Sequence, residues 1–599
     1  MIKLLMRRIL ATAFAFFAAV PVWGQDTAQN FTMLRRDFQV ADGTSSVITG
    51  DFDGDKRPDL LLIGSFGLSL LRGNGDGTFQ PGITTAAGTI GGFPFPSAVA
   101  DFNGDGKMDV PIGTDLYLGQ ADGSFRILRQ TDPLFLVSPY VSSLITADFN
   151  EDCTPDLAGF DGSSYRVLLG KGDGTFQRSF SISGVAIPGV IGGTVRSYTT
   201  DINHDGHADL VLRSTDFADS PTVFRIFKGN GEGSFQEARS VRVSLRGAQL
   251  AAQGDFNGDQ IIDWALNTGN ASSLLLGNAD GTFQEPTPLD AYVGLSGDFD
   301  SDGRPDLVLI NGQATIYLGS GHGFSPSVRV SGGYPILSAD WNGDGRLDLV
   351  TSQSGYVSIL LNKPLAPGEN AIIAVESSAT PLAIVAPGSL ATLFGSGLST
   401  GTEASPILSG TLAGIKLQVR DAAGQTLPAE LLYVSPNQIN FRIPPTATVG
   451  DATVDIATAT GAFFPLGVAQ VEASAPTLFG CGAGTNELIA VGEPGADSFS
   501  FEPPPCPGDQ LRFPAIVTFY GTGFAGATVD NTQVWVHGLP LKPLYVGPAE
   551  TVPGLDKVVI RVQQSDLVQS QGDSLDGYAS WVYITMAGRK TNGGYTGIY

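Results

Sequence analysis

The residues best suited to chemistry are carboxylates set two apart in short acidic turns. The pattern Asp-x-Asp/Asn-x-Asp-x-x-x-Asp occurs seven times. Loop one carries Asp51, Asp53, Asp55 and Asp59; loop two Asp101, Asn103, Asp105 and Asp109; loop three Asp148, Asn150, Asp152 and Asp156; loop four Asp201, Asn203, Asp205 and Asp209. Loop five carries Asp255, Asn257, Asp259 and Asp263; loop six Asp298, Asp300, Asp302 and Asp306; loop seven Asp340, Asn342, Asp344 and Asp348. Oxygens at positions 1, 3 and 5 of a tight turn converge on one point. A backbone carbonyl at position 7 and a carboxylate at position 9 close a shell of the roughly six to eight oxygens that Ca2+ takes. A single turn of this kind would also be explained without an ion, because Asp and Asn favour turns. Seven in one register point to Ca2+, up to seven ions, tying pairs of strands together.

Position 6 of such a loop favours Gly, which adopts a left-handed backbone freely. Lys56, Cys153 and Gln260 stand there in loops one, three and five, so those sites are expected to be strained or weaker. Position 12 holds Leu62 in loop one and Ile112 in loop two rather than the bidentate Glu of an EF-hand. These are acidic loops between strands, not between helices.

Other chemistry is sparse. Gly397-Leu398-Ser399-Thr400-Gly401 has the spelling of a nucleophile elbow, which needs a strand, a helix and a His base. No helical pattern follows it, and His537 is the only His in the last third. His204 and His207 lie inside loop four, and His322 lies in a glycine turn, so no zinc spacing arises. Lys171-Gly172-Asp173 spells an adhesive tripeptide but belongs to a recurring turn. The residues therefore indicate a non-catalytic protein. The rival is an enzyme with a site scattered over loops, such as a polysaccharide lyase or hydrolase.

The acidic loops start 50, 47, 53, 54, 43 and 42 residues apart. A glycine motif follows most of them, as in Gly73-Asn74-Gly75-Asp76-Gly77-Thr78-Phe79. Self-similarity at this period means stacked repeats, with propeller blades the leading form. Each unit reads as four strands: an alternating one such as 46–49, an apolar run such as 60–63, a third such as 68–71, and a fourth starting at the glycine motif. The seventh unit stops at Asn362 without a fourth strand, while 31–40 is an orphan strand at the other end. Pairing the two would close a seven-membered ring and hide its edges; the alternative is an open solenoid.

These paired motifs resemble FG-GAP/VCBS repeats, the units of integrin-alpha-like seven-bladed propellers, over about residues 31–362. The resemblance implies calcium in the acidic loops and protein or glycan partners on the rim or upper loops. No partner-binding residue carries over. Beyond a linker at 363–369, Thr392–Leu398 rhymes with Thr518–Phe524, and Leu432–Pro436 with Leu544–Pro548. Short strands and turn signals suggest two immunoglobulin-like sandwiches, 370–475 and 476–599. The first resembles an uncharacterised C-terminal domain family of large secreted bacterial proteins, which implies a stalk, spacer or surface-attachment module.

The expected fold class is thus all-β: a seven-bladed β-propeller over 25–362 and two sandwiches. Residues 1–24 read as a signal peptide, with Lys3, Arg7 and Arg8 before an apolar stretch, the alternative being an uncleaved anchor. No later run is long enough to span a bilayer. The expected location is extracytoplasmic: secreted, periplasmic or at the cell surface. Cys481 and Cys506 are either bridged or two buried thiols, and Cys153 is left over. A formal charge of −25 repels phosphate backbones, which argues against nucleic acid. The function expected is an extracellular binding or adhesion module for a protein or carbohydrate ligand.

Overall fold

The computed structural model describes most of residues 31–596. Residues 1–30, 86–97, 130–143, 183–195, 215–220, 366–372, 479–489, 495–514 and 563–579, with shorter stretches such as 203–204, lie outside that description. The expected leader, the pair Cys481 and Cys506, and Asn203 fall there. Among the described residues every regular element is a strand. The chain divides into two compact units, residues 38–362 and residues 363–599 with the segment before 38.

In the first unit each repeat is an antiparallel meander. In repeat one, Thr44–Gly50 pairs with Asp59–Gly64, which pairs with Gly67–Leu71, and Ile83–Thr85 takes the edge. Five sheets follow this four-strand order. Repeat two has three strands, Val110–Ile112, Asp115–Gly119 and Phe125–Arg129, and a lone bridge Ala100–Asp109 stands where its first strand would be. In repeat seven the described strands are Tyr334–Ala339, Asp348–Gln353 and Tyr356–Pro364, and Phe31–Gln39 takes the fourth place in the sheet. That is the orphan strand of the sequence.

The second strand of each repeat is the apolar run because both of its faces are covered. Leu60, Leu61, Leu62 and Ile63 are all buried. A single sheet cannot cover its own faces, so neighbours share cores. Leu61, Ile63, Leu68 and Leu70 of repeat one pack with Val110, Ile112 and Tyr117 of repeat two. Apolar area removed from water in this way, at about 25 cal/mol per Å², is what holds sheet to sheet.

A backbone hydrogen bond marks three of the junctions. Gly174 N–H of repeat three donates to Phe102 O of loop two at 2.9 Å, and Gly233 N–H of repeat four to Phe149 O of loop three at 2.9 Å. Gly77 N–H of repeat one donates to Trp341 O of loop seven at 3.3 Å. Repeat one therefore seats on loop seven as repeat three seats on loop two, and the array returns on itself rather than running open.

The second unit has no such period. Between residues 373 and 471 its strands form two sheets joined at both edges. Ile373–Ser377 pairs first with Phe463–Val471 and then with Leu390–Phe394, and Thr426–Val434 passes from Lys416–Arg420 to Gln438–Arg442. The core between them holds Val375, Leu393, Leu417, Val419, Leu431, Ile439, Phe441 and Val454. Further on, Ala515–Thr522 pairs with Asp556–Val562, and Thr532–Val536 with Ser580–Met586, in two more sheets.

The segment before 38 is sewn into this unit by charge. Arg35 Nε and Nη2 donate to the Asp37 carboxylate at 2.8 and 2.9 Å, and Nη1 donates to Glu376 at 3.0 Å. Arg35 and Asp37 are fully buried there. Ala383 N–H donates to Asp37 as well.

Candidate metal centres

Each acidic loop is built by hydrogen bonds from its own backbone. In loop two, Asp101 accepts N–H bonds from Asp105 and Gly106, Asn103 Oδ1 accepts from Asp105, and Asp105 accepts from Lys107. The same ladder recurs in loops three, five, six and seven. Side chains 1, 3 and 5 are thereby turned inward. In loop one the carboxylate oxygens of Asp51, Asp53 and Asp55 lie within 4.8 Å of one another; in loop six those of Asp298, Asp300 and Asp306 do so. These are the two loops with Asp, not Asn, at position 3.

The turn needs two left-handed residues. Position 6 has positive φ in all seven copies: Gly106, Gly206, Gly303 and Gly345, but also Lys56 at 67°, Cys153 at 64° and Gln260 at 67°. The strain expected at those three residues is therefore present in the backbone. Position 4 is left-handed too, with Glu151 at 59° and Ser301 at 62°. The recurrent Gly54, Gly104, Gly258 and Gly343 were the signal for that second position, which the sequence reading passed over.

Position 9 also has a second role. Asp59, Asp109, Asp156, Asp209, Asp263, Asp306 and Asp348 are all fully buried. One oxygen of Asp59 accepts from Phe52 N–H at 3.0 Å and the other from Gly73 N–H at 2.8 Å. Asp109 holds Phe102 and Gly119 in the same way, and Asp348 holds Trp341 and Asn362. The carboxylate thus clamps the acidic loop to the glycine motif that follows it. That approach excludes a side chain, since a Cβ on Gly73 would lie 2.2 Å from Pro58 O. Burial, only partly offset by the two N–H bonds, pushes Asp59 up to about 6 and Asp109 up to about 7.

The aromatic at position 2 is a second coupling. Phe52 meets Phe125 edge-on at 5.8 Å, Phe102 meets Phe176 at 5.5 Å, and Phe149 meets Phe235 at 5.4 Å. Each is a contact between the acidic loop of one repeat and the glycine-motif Phe of the next. Between loops three and four, Glu151 bonds His207, which raises the imidazole's affinity for its proton.

The donors present suit a hard divalent cation. They are carboxylate and carboxamide oxygens, held close by a ladder that turns them toward each other. Burial and then its neighbours Asp55 and Asp51 raise Asp53, against the pull of an Asp55 N–H bond; burial, then Asp302 and Asp298, raise Asp300. A cation among them would remove that repulsion. Arg72, 3.8 Å from Asp53, offsets part of it in loop one. Ca2+ would be held by Asp51, Asp53 and Asp55 in loop one and by Asp298, Asp300 and Asp306 in loop six.

Acidic turns clamped between strands, repeated around a closed array, define a β-repeat protein whose units are stapled one to the next. Residues 51–110, 148–212 and 298–351 match the FG-GAP-like repeat, so the chain carries FG-GAP-like repeats there. No curated protein matches it. Among solved structures it is similar to an Agrocybe aegerita lectin recognising non-reducing terminal N-acetylglucosamine, at 17% identity and a TM-score of 0.39, covering 56% of this chain and 96% of the lectin. It is also similar to a V. cholerae biofilm matrix protein, at 11% identity and a TM-score of 0.30, covering 54% of this chain and 77% of that one. Likenesses this distant assign neither fold nor ligand.

Proposed function

We propose that this chain is an extracytoplasmic, calcium-stabilised binding protein, non-catalytic, whose seven-bladed propeller presents a ligand surface for glycan or protein. The observation that carries the reading is the convergence of Asp51, Asp53 and Asp55, and of Asp298, Asp300 and Asp306, within clamped loops. Carboxylates brought so close repel each other unless a cation joins them. Metal held there fixes the corners of the scaffold and leaves the opposite end of each repeat for recognition.

That opposite end carries exposed aromatic surface. Tyr292 and Tyr334 begin equivalent first strands of repeats six and seven and are 40% and 69% exposed. Their strands lie side by side, since a Cβ on Gly294 would lie 2.7 Å from the Pro335 ring. Exposed rings of this kind supply large contact area at low entropic cost. No described helix is long and apolar enough to cross a membrane. The C-terminal unit would serve as the spacer or surface-association module.

The test pairs a glycan and protein binding screen of the calcium-loaded chain with an assay for polysaccharide cleavage. Saturable binding without turnover is expected. Turnover abolished by replacing a carboxylate outside the acidic loops would overturn the reading.

A further inference from the structure

Positive charge is unevenly spread in this chain, whose formal charge is −25. In repeats two, three and four the described third and fourth strands carry nine Lys or Arg against two acids, Asp115 and Glu237. The corresponding strands of repeats one, five and six carry one cation, Arg329, and no acid. Six of the nine stand on fourth strands: Arg126 and Arg129 in repeat two, Arg178 in repeat three, and Arg239, Arg242 and Arg246 in repeat four. Glu237 is already bonded to Arg225 at 2.9 and 2.7 Å, and Asp115 stands directly opposite Arg129. Two acids do not balance nine cations, so these strands stay strongly positive.

The fold puts the fourth strands outside. Each takes the edge of its sheet opposite the first strand. First strands of neighbouring repeats touch one another, those of repeats five, six and seven in turn and those of seven and one. The first strands thus gather at the centre of the array, and the fourth strands form its outer rim. Burial agrees. In Phe125–Arg129 only Phe125 is buried, while Arg126, Ile127 and Arg129 are exposed. In Phe235–Arg246 only Phe235 and Val243 are buried, and Arg242 and Arg246 are exposed. Repeat three seats on loop two and repeat four on loop three, so the three repeats are consecutive and their arginines follow one another around the rim.

We infer that the rim of repeats two to four binds an acidic polysaccharide, the carboxylates of the polymer meeting arginines of successive repeats. Eight of the nine cations are Arg, whose guanidinium fork matches a carboxylate in geometry and charge. Residues three apart on a strand, as Arg126 and Arg129 are, lie about 10 Å apart. Duplex nucleic acid carries a charge about every 1.7 Å and would bring a dense line of phosphate against a chain of this net charge. A polymer with one carboxylate per sugar, or per pair of sugars, suits cations set this far apart. Ile127, 40% exposed between Arg126 and Arg129, offers apolar area to the C–H face of a sugar ring. The inference rests on the proposed binding function and names a ligand class for it.

The test uses the full calcium-loaded chain and titration calorimetry over a range of ionic strength. The probe is hyaluronate, an unsulfated polymer with a carboxylate on every second sugar; dextran, duplex DNA and polyglutamate are the comparisons. Hyaluronate is expected to bind, less tightly as salt rises, and dextran not to bind. The double variant Arg126→Gln with Arg242→Gln is expected to bind hyaluronate about tenfold or more weakly. Lys416→Gln with Arg561→Gln removes the same charge from exposed positions in the other unit and should bind as wild type does. All four residues are exposed, so melting temperatures should not move. If that of the rim variant falls, the single variants Arg126→Gln and Arg242→Gln carry the comparison, each with a smaller loss of affinity. No binding of hyaluronate, equal binding by wild type and the rim variants, tighter binding of DNA or polyglutamate, or self-association of the chain that the rim variant loses, each overturns the inference. A ligand from the glycan and protein screen would then leave the wider reading standing. If hyaluronate binds through the rim and is cleaved, with turnover abolished by replacing a carboxylate outside the acidic loops, the rim stands and the non-catalytic reading falls.

Discussion

The two units bury carboxylates in opposite ways. In the repeats, Asp59 and its six counterparts accept backbone N–H bonds and, among the described residues, have no cationic side chain as a hydrogen-bond partner. In the other unit, Asp37 is gripped by the Arg35 fork and Asp455 by Arg420 at 2.9 Å. N–H dipoles stabilise a carboxylate but do not cancel its charge, so an acidic repeat still calls for an external cation. An arginine cancels the charge from within the chain. Metal dependence should therefore belong to residues 38–362 and be absent from 363–599.

Chelation is the sharpest way to break that contrast. An ion that binds only the folded state stabilises by about 2.7 kcal/mol at a hundredfold excess over its dissociation constant. Several such sites give the largest effect expected here. Hydrogen exchange in excess chelator should speed up around Asp51–Asp59 and Asp298–Asp306 and return on adding Ca2+, with little change at Leu431 or Phe441. Uniform exchange with and without chelator would remove the structural role of metal.

Removing the internal cation is the mirror experiment. Arg35→Met leaves Asp37 and Glu376 buried without their counter-charge, and breaking a buried pair costs about 3–5 kcal/mol. The loss should fall on the C-terminal unit and should not be rescued by Ca2+. Asp348→Ala strands the N–H groups of Trp341 and Asn362, for roughly 2–5 kcal/mol. Here the loss should appear in the repeats, and excess Ca2+ should not restore it, because what is lost is a clamp.

How far these features are legible in the sequence depends on separation along the chain. The acidic turns are legible because ligand and backbone partner lie within five residues, as with Asp101 and Gly106. The clamp is not, because Asp59 meets Gly73 across a hairpin. The edge-on pairing of Phe52 with Phe125 spans a whole repeat, although both residues belong to motifs that are visible separately. Arg35 and Glu376 are 341 residues apart, and nothing local marks them. In the C-terminal unit, Ile373–Ser377 and Thr426–Val434 each serve two sheets, a property of tertiary packing that no short pattern encodes.

A smaller effect separates the units by pH. Burial pushes Glu376 up to about 7, against the attraction of Arg35. The folded unit therefore holds that proton more tightly than the unfolded chain, whose carboxyl titrates near 4.5. Its contribution to stability is fully present below that value and is lost as pH rises through about 7. The C-terminal unit should thus weaken between pH 5 and pH 8, and Glu376→Gln should flatten the slope. A slope unchanged in that variant would place the titration elsewhere.

The smallest effect concerns the loops themselves and sharpens the contrast within one unit. Lys56, Cys153 and Gln260 occupy the left-handed backbone that four other loops give to glycine. Replacing each by Gly relieves strain of roughly 1 kcal/mol, less the extra entropy that Gly has when unfolded. Lys56→Gly has a second consequence, since it removes a positive charge beside Asp51, Asp53 and Asp55. It should tighten Ca2+ at loop one more than Gln260→Gly tightens loop five, where no charge changes. Equal gains at both loops would mean that backbone strain alone sets the affinity, and that the carboxylate charge plays no part in choosing the ion.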